Sequence, residues 1–146
     1  IGRFHNIYGP MGTWKGGKEK APAATCRKVI TADVVVGVWG DGEQTRSFLY
    51  IDDCIDAVRL MMESDFMGPV NIGSEEMVTI NQLVDITAKV SGKAVQKRYK
   101  LDAPLGVRGR NSNNDLIRKE LGWDYSMTLE EGITKTYEWI EEQLNG

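Results

Sequence analysis

The segment from Gly2 to Pro22 constrains the fold of this chain more than any other stretch. Its first part, Arg3 to Tyr8, has the pattern of a β-strand and ends at Gly9-Pro10, where turn chemistry begins. A glycine-rich loop follows, and Pro22 suits the first turn of a helix. The segment therefore predicts a strand, a loop and a helix in that order, which is typical of α/β packing.

The loop of this segment combines glycines with lysines. Its glycines are Gly9, Gly12, Gly16 and Gly17, and its lysines, which crowd around the single acid Glu19, are Lys15, Lys18 and Lys20. Such a loop can bring backbone amides and ammonium groups to one anion. A solvated basic surface loop is the alternative interpretation, because runs of charge usually face water.

Alternating helices and strands are predicted along the rest of the chain. The predicted helices cover Ala21–Thr31, a segment capped by Asp52 that ends before Gly68, a segment from the capping box of Thr79 and Gln82 to Gly92, Asp115–Leu121, and Thr128–Leu144, which opens with the capping box of Thr128 and Glu131. The helix after Asp52 is expected to direct Ile55, Val58, Met61 and Met62 inward. The predicted strands are Val34–Trp39, Arg46–Ile51, Val70–Gly73 and Val95–Lys100, whereas Ala103–Asn114 is expected to be an irregular loop.

These strands are few and short for a complete doubly wound sheet, so a half-domain or a small α/β substrate lobe fits the pattern better. The length of 146 residues predicts a single domain, residues 1–146, with a conventional core. The chain begins at Ile1, within a strand pattern and without an initiator Met, which suggests a piece of a longer protein.

Composition narrows the classes of ligand. The net charge is −3, yet residues 1–50 hold seven Lys/Arg against four Asp/Glu, so the basic excess surrounds the opening loop. One basic region on an acidic chain favours a small anionic ligand over nucleic acid. No apolar run approaches the roughly eighteen residues of a membrane span, so no membrane partner is expected. Cys26 and Cys54 match no metal spacing and are expected to be buried free thiols in a reducing cytoplasm.

Three segments, Arg3–Pro10, Trp39–Asp53 and Val70–Ser74, resemble the C-terminal half of the extended short-chain dehydrogenase/reductase family of nucleotide-sugar epimerases and dehydratases. Gly12–Ala24, Gln44–Arg46 and Gly106–Ser112 are similar to the branch of that family that epimerises GDP-sugars. The resemblance implies an α/β fold, namely the substrate-binding C-terminal lobe with a few remnant sheet strands and without the N-terminal dinucleotide-binding half.

The resemblance also implies roles for individual residues. Lys20 matches an acid/base at the sugar carbon that is inverted, a role suited to a lysine whose pKa is lowered. The positions that match substrate contacts are Asn6, Glu19, Lys20, Ala21, Lys28, Gln44, Thr45, Arg46 and Arg110. Arg46 and Arg110 suit phosphate oxygens, because guanidinium groups bind them with two parallel hydrogen bonds. Arg108 is a weaker candidate, and His5 is expected to be a packing residue.

The cofactor of the family is NAD, which the resemblance assigns to the missing N-terminal half. Its Gly-x-x-Gly-x-x-Gly loop and its Tyr-x-x-x-Lys pair are absent from these residues, and Gly37-x-x-Gly40-x-Gly42 is no substitute because no helix is predicted to open after it. No cofactor is therefore expected for this chain alone. For the complete enzyme the resemblance implies a homodimer.

Three functions remain open from the sequence. The chain is part of an NAD-dependent GDP-sugar epimerase, a stand-alone nucleotide-sugar-binding domain without catalysis, or a structural fragment that binds no ligand. The third explains neither the loop lysines nor the paired arginines. An upstream reading frame with the two missing motifs would distinguish the first from the second.

Overall fold

The structure, a computed structural model, describes residues 1–146 as five helices and nine short strands. The helices are α1 (Ala21–Thr31), α2 (Ile51–Glu63), α3 (Ile80–Ser91), α4 (Asp115–Leu121) and α5 (Leu129–Asn145). The strands are β1 (Gly2–Phe4), β2 (Ile7–Tyr8), β3 (Val35–Trp39), β4 (Thr45–Ser47), β5 (Leu49–Tyr50), β6 (Val70–Ile72), β7 (Met77–Thr79), β8 (Gln96–Lys100) and β9 (Gly109–Arg110).

Parallel pairing dominates the strands. β1 pairs with β6, β2 with β5 and β3 with β8, each in parallel. β4 is the centre of a three-stranded sheet, antiparallel to β7 and parallel to β9. Because parallel neighbours need a crossover connection, helices separate these strands in the chain. The predicted α/β class with few strands is confirmed.

The main core lies where α1, α3 and α5 pack against one another. Cys26 of α1, Leu83 of α3 and Ile133 of α5 are completely buried there. A second cluster joins α2, β6 and the C-terminal segment through Ala57, Ile72 and Ile117. None of the helices has both the length and the apolar character that a membrane crossing requires.

Helix α2 differs from its prediction at its start. Asp52 was expected to cap it, but the cap position belongs to Tyr50, which makes no side-chain cap hydrogen bond, and Asp52 lies in the first turn. An acid in the first turn still interacts favourably with the helix dipole. Asp52 therefore marks the start of α2 as predicted, but it lies in the first turn and not at the cap position.

The buried face of α2 was predicted correctly at two of four positions. Val58 and Met61 pack against the second cluster, whereas Ile55 and Met62 are 56% and 82% exposed. Asp53 is buried as well, and its carboxylate accepts hydrogen bonds from the Ser126 amide and hydroxyl and from the Met127 amide. Because a buried charge needs such partners, this polar contact lies beside the apolar residues on the buried face of the helix.

Both predicted capping boxes are present, at Thr79 with Gln82 and at Thr128 with Glu131, and Gly92 ends α3 in the left-handed conformation. The prediction failed for short strands. The expected strand Arg46–Ile51 is divided into β4 and β5, β7 was not anticipated, and β9 lies inside the stretch expected to be irregular. Strands of two or three residues are too short to carry a readable alternation.

Candidate functional site

Lys20 lies at the junction between the glycine-rich loop and α1. It is the cap residue of the helix, with extended backbone angles of φ −73° and ψ 159°, and its carbonyl accepts a hydrogen bond from the Ala24 amide at 3.0 Å. Its side chain is exposed to solvent. The helix thus fixes the backbone of Lys20 while the ammonium group stays free for a ligand.

Glu19, beside it, is held within the protein. One carboxylate oxygen accepts the Gly17 amide at 2.8 Å and the other accepts the Arg27 guanidinium at 2.9 Å. Hydrogen bonds from its own backbone amide, from Arg27 and from Gly17 hold the pKa of the Glu19 carboxyl below its ordinary value. Its carboxylate therefore stays charged and tied to the loop at neutral pH.

Ala21, Lys28 and Gln44 line one small, partly open cavity of about 190 Å³ between α1, β3 and α3. The remaining lining residues are Ala24, Thr25, Val36, Gly37, Val38, Trp39, Ile80 and Val84. Three of the predicted substrate contacts thus share one mostly apolar space. Small-molecule sites commonly have this character, with a few convergent polar groups on apolar walls.

Gln44 has an unsatisfied polar atom at this cavity. Its side-chain amide donates to the Trp39 carbonyl at 3.2 Å, whereas its Oε1 is buried and has no hydrogen-bond partner. The residue is only 9% exposed. A buried acceptor without a donor carries a free-energy cost, and because this oxygen has almost no accessible surface, a ligand does not reach it in this conformation of Gln44.

Lys28 supplies a donor at the same cavity. Its ammonium donates to the Gly37 carbonyl at 3.1 Å, which leaves two N–H groups. Burial, together with the positive charge of Arg27, lowers the pKa of Lys28, while Glu19 acts in the opposite direction. Lys28 also borders an adjoining cleft of about 630 Å³ whose walls include Trp39 and Arg98.

Thr45, Arg46 and Arg110 meet on neighbouring strands. β4 runs parallel to β9, with Thr45 opposite Gly109 and Arg46 opposite Arg110. The guanidinium of Arg46 donates to the Thr45 carbonyl at 2.6 Å. The pairing therefore brings together two predicted phosphate contacts that are sixty-four positions apart in the sequence.

Arg108 has a different environment, because its guanidinium forms a two-point ion pair with Asp41 at 3.2 and 3.0 Å. Hydrogen bonds from the Glu43 amide and from Arg108 lower the pKa of Asp41. Arg108 thus closes the Gly40–Gly42 turn onto the loop before β9.

Asn6 has a local structural role in addition to its predicted substrate contact. It adopts a left-handed φ of 48°, its side-chain amide donates to the Ser47 carbonyl at 3.1 Å, and its own carbonyl accepts the Leu49 amide. It therefore links the end of β1 to β5. His5, expected to pack, is half-buried beside Gly73.

The structure groups the predicted residues into three neighbourhoods: the cavity residues, the β4–β9 arginines, and Lys20 at the helix start. Asn6, Lys20, Arg46 and Arg110 do not line the 190 Å³ cavity. The sequence did not predict that Trp39 lines both the 190 Å³ cavity and the adjoining 630 Å³ cleft. It also did not predict Arg27 as the partner of Glu19. Trp39 could have been identified from the sequence, because it directly precedes the Gly40–Gly42 turn.

Comparisons with known proteins identify the family of the chain. The family model described as GDP-mannose 4,6 dehydratase matches residues 1–136. GDP-mannose 3,5-epimerase of Arabidopsis thaliana is 54% identical over 144 residues, which are 99% of this chain and 38% of that protein. The probable GDP-L-fucose synthase 1 of Oryza sativa subsp. japonica is 31% identical over 95% of this chain and 44% of its own length.

Solved structures extend the likeness to the fold. UDP-glucose 4-epimerase of Thermotoga maritima, solved with UDP-glucose, superposes with a TM-score of 0.90 at 29% identity over 98% of this chain and 46% of its own. UDP-glucuronic acid 4-epimerase of Bacillus cereus, solved with UDP-glucuronic acid and NAD, gives a TM-score of 0.85 at 26% identity over 99% of this chain and 45% of its own.

The chain spans less than half the length of each of these relatives. The sequence resemblance is confirmed. The chain belongs to the GDP-mannose 4,6 dehydratase family within the extended short-chain dehydrogenases/reductases, and it is similar to the GDP-mannose 3,5-epimerases.

Proposed function

We propose that residues 1–146 form the substrate-binding lobe of an NAD-dependent GDP-sugar 3,5-epimerase, acting on a GDP-mannose-like substrate with Lys20 as an acid/base. The observation that carries this proposal is the small cavity lined by Gln44 and by Lys28, whose ammonium retains two N–H groups. A nucleotide has both the donors and the acceptors that these two side chains would satisfy.

The diphosphate is assigned to Arg46 and Arg110. The two residues are register partners on β4 and β9, and each guanidinium group can offer paired hydrogen bonds to phosphate oxygens. Asn6, Glu19, Ala21 and Thr45 complete the proposed contacts. In this assignment the cavity takes part of the nucleoside, and the sugar lies toward the glycine-rich loop.

Lys20 would act on the sugar. Inverting a carbon centre next to a carbonyl requires that a proton leave one face and that another proton be returned to the opposite face. The Lys20 ammonium is exposed on a backbone anchored by the first turn of α1. Its role is to deliver the returning proton from Nζ to that carbon.

NAD does not fit any group of residues within 1–146. Gly37 lies inside β3, and the turn at Gly40 and Gly42 is filled by the side chains of Leu105 and Asn81. The chain then enters β4 rather than the helix that a dinucleotide site needs. We therefore assign NAD to residues outside this chain.

A stand-alone, non-catalytic nucleotide-sugar-binding domain is the second candidate, and the same lack of a dinucleotide cradle favours it. Both candidates share the cavity and the arginine pair. They differ in whether the reading frame supplies the nucleotide-binding motifs upstream and in whether a homodimeric complete enzyme forms.

The test compares the purified 146-residue chain with the protein encoded by its complete reading frame. Each is incubated with GDP-mannose and NAD, and the sugar is followed by NMR. We expect the complete protein to produce epimers inverted at C3 and C5, and the 146-residue chain to bind the nucleotide without turnover. Turnover by the 146-residue chain, or no epimer from the complete protein, would contradict the proposal.

A further inference from the structure

Arg27, on the second turn of α1, reaches back to the loop that precedes the helix. Its Nε donates to the Trp14 carbonyl at 3.2 Å, and its Nη2 donates to Glu19 at 2.9 Å. The second oxygen of Glu19 accepts the Gly17 amide at 2.8 Å. We call these four residues, Trp14, Gly17, Glu19 and Arg27, the loop latch.

Apart from the side chain of Trp14, which packs against the main core, the glycine part of the loop lacks packing contacts. Gly16 and Gly17 adopt φ values of 94° and 84°, which side-chain-bearing residues rarely adopt, and no atom lies within 4 Å of the position where a Cβ would stand. Glycines without packing partners leave a backbone mobile. The latch supplies the missing restraint, and its carboxylate is well shielded, with the Glu19 side chain only 8% exposed.

Lys20 lies between the latch and the helix. Glu19 restrains the residue before it, and the helix that starts at Ala21 restrains the residue after it. Release of the latch would free one of these two restraints. The Nζ of Lys20 would then sample a wider volume, although the lysine itself and its chemistry would be unchanged.

We infer that Arg27 is a positioning residue that acts through Glu19 to hold Lys20 at the reacting carbon. The catalytic part of this inference rests on the proposed function. It also assigns Glu19 a structural role in addition to its proposed contact with substrate, because both of its carboxylate oxygens accept hydrogen bonds from the protein.

The charges around the latch support this assignment. Arg27 is the cation in direct contact with Glu19, while Lys18 and Lys20 flank it in the chain and Lys28 adjoins Arg27 on the helix. With the pKa of its carboxyl lowered, Glu19 is ionised throughout the neutral range and loses its charge only below its ordinary value of 4.5. The latch is therefore closed at neutral pH.

The first test measures the latch itself in the 146-residue chain, by amide hydrogen exchange at Gly17 followed by NMR. We expect exchange to accelerate roughly tenfold in Arg27→Ala, as for the loss of one charge-assisted hydrogen bond. Arg27→Lys, which can reach only one of the two acceptors, should give an intermediate rate. Glu19→Gln keeps the acceptor oxygen without its charge and should also accelerate exchange.

The matched control is Arg59→Ala, an exposed arginine on α2, which should leave Gly17 exchange unchanged. Slow exchange of the α1 amides, retained in every variant, shows that the fold is intact. Unchanged Gly17 exchange in both Arg27→Ala and Glu19→Gln would overturn the inference, whether or not the chain is part of an enzyme.

The second test measures catalysis in the protein from the complete reading frame. Misplacement of a catalytic group by about 1 Å can cost roughly a hundredfold in rate. We expect Arg27→Ala to lower kcat between roughly tenfold and a hundredfold with an unchanged KM, and Arg27→Lys to restore part of the loss.

A raised KM with an unchanged kcat would make Arg27 a binding residue and would contradict the positioning role. Loosened exchange with unchanged kcat would contradict it as well. A wild-type protein that shows the closed latch but no epimerisation would refute the proposed function, and the catalytic role of Arg27 with it, while leaving the latch as a structural contact.

Discussion

Arg46 and Arg110, sixty-four positions apart in the sequence, lie opposite each other on the parallel strands β4 and β9. Arg108, two residues before Arg110, forms an ion pair with Asp41 instead. The structure thus distinguishes Arg46 and Arg110, which could bind a diphosphate, from Arg108, whose guanidinium is already ion-paired with a carboxylate of the protein.

This separation predicts unequal effects on nucleotide binding. Arg46→Ala and Arg110→Ala should each weaken GDP binding by about 1.5–3 kcal/mol, as expected for charge-assisted hydrogen bonds. Arg108→Ala is the matched control, and it should leave the affinity unchanged. Isothermal titration calorimetry with the 146-residue chain measures all three. Wild-type affinity in both Arg46→Ala and Arg110→Ala would refute the assignment of the phosphate site.

Lys93 is expected to stabilise the C-terminal end of α1. Its ammonium donates to the carbonyls of Val29, Ile30 and Ala32 at 3.0, 2.7 and 3.3 Å, which are among those that a helix end leaves unpaired. Lys93→Met should lower the free energy of unfolding by about 1–3 kcal/mol in urea denaturation. Lys135→Met, an exposed change on α5, is the control. Equal stability of the two variants would contradict this role.

The thiol of Cys26 is expected to be chemically inert in the folded protein. Complete burial raises its pKa from 9.0 to about 12. Since the thiolate is the reactive form, alkylation in mildly alkaline buffer should occur only after unfolding. The stability that comes from burying the neutral thiol should be fully present below 9.0 and decrease as the pH rises toward about 12.

Mass spectrometry of iodoacetamide-treated protein, with and without urea, measures this reactivity. A Cys54→Ala background isolates the signal of Cys26. Equal labelling of the native and unfolded chains would show that the α1 core is open.

Lys20→Met tests the acid/base directly in the protein from the complete reading frame. It should reduce inversion by about 10²–10⁴-fold or more, the typical contribution of general acid/base catalysis, while GDP-sugar binding is spared because it rests on the arginines. The measurement is exchange of solvent deuterium into the sugar at C3 and C5. Exchange at the wild-type rate would leave Lys20 as an electrostatic contact only.

The sequence predicted those elements whose signals are local. The capping boxes of α3 and α5 each lie within four residues, and Gly92 ends α3 by its own backbone freedom. In each case a few adjacent residues contain the whole physical cause.

The features that escaped prediction depend on distant partners. β9 forms because its backbone pairs with β4, with Arg110 opposite Arg46. No sequence pattern within Ala103–Asn114 predicts this strand. The burial of Asp53 on α2 depends on the Ser126 amide, which lies 73 positions away in the sequence. Glu19 lies before the start of α1 and Arg27 lies within the helix, so the number of residues between them does not predict their contact. The candidate site residues were predicted from the family resemblance, whereas their contacts are seen only in the folded structure.

The central claim, that this chain recognises a GDP-sugar, is tested most directly by titrating GDP-mannose into the isotope-labelled 146-residue chain and recording its amide NMR spectrum, with UDP-glucose in a parallel titration. Saturable shifts are predicted at Ala21, Lys28, Gln44, Arg46 and Arg110, and at lower concentrations of GDP-mannose than of UDP-glucose. A folded spectrum in which these five amides do not respond, or respond first to UDP-glucose, would contradict the account.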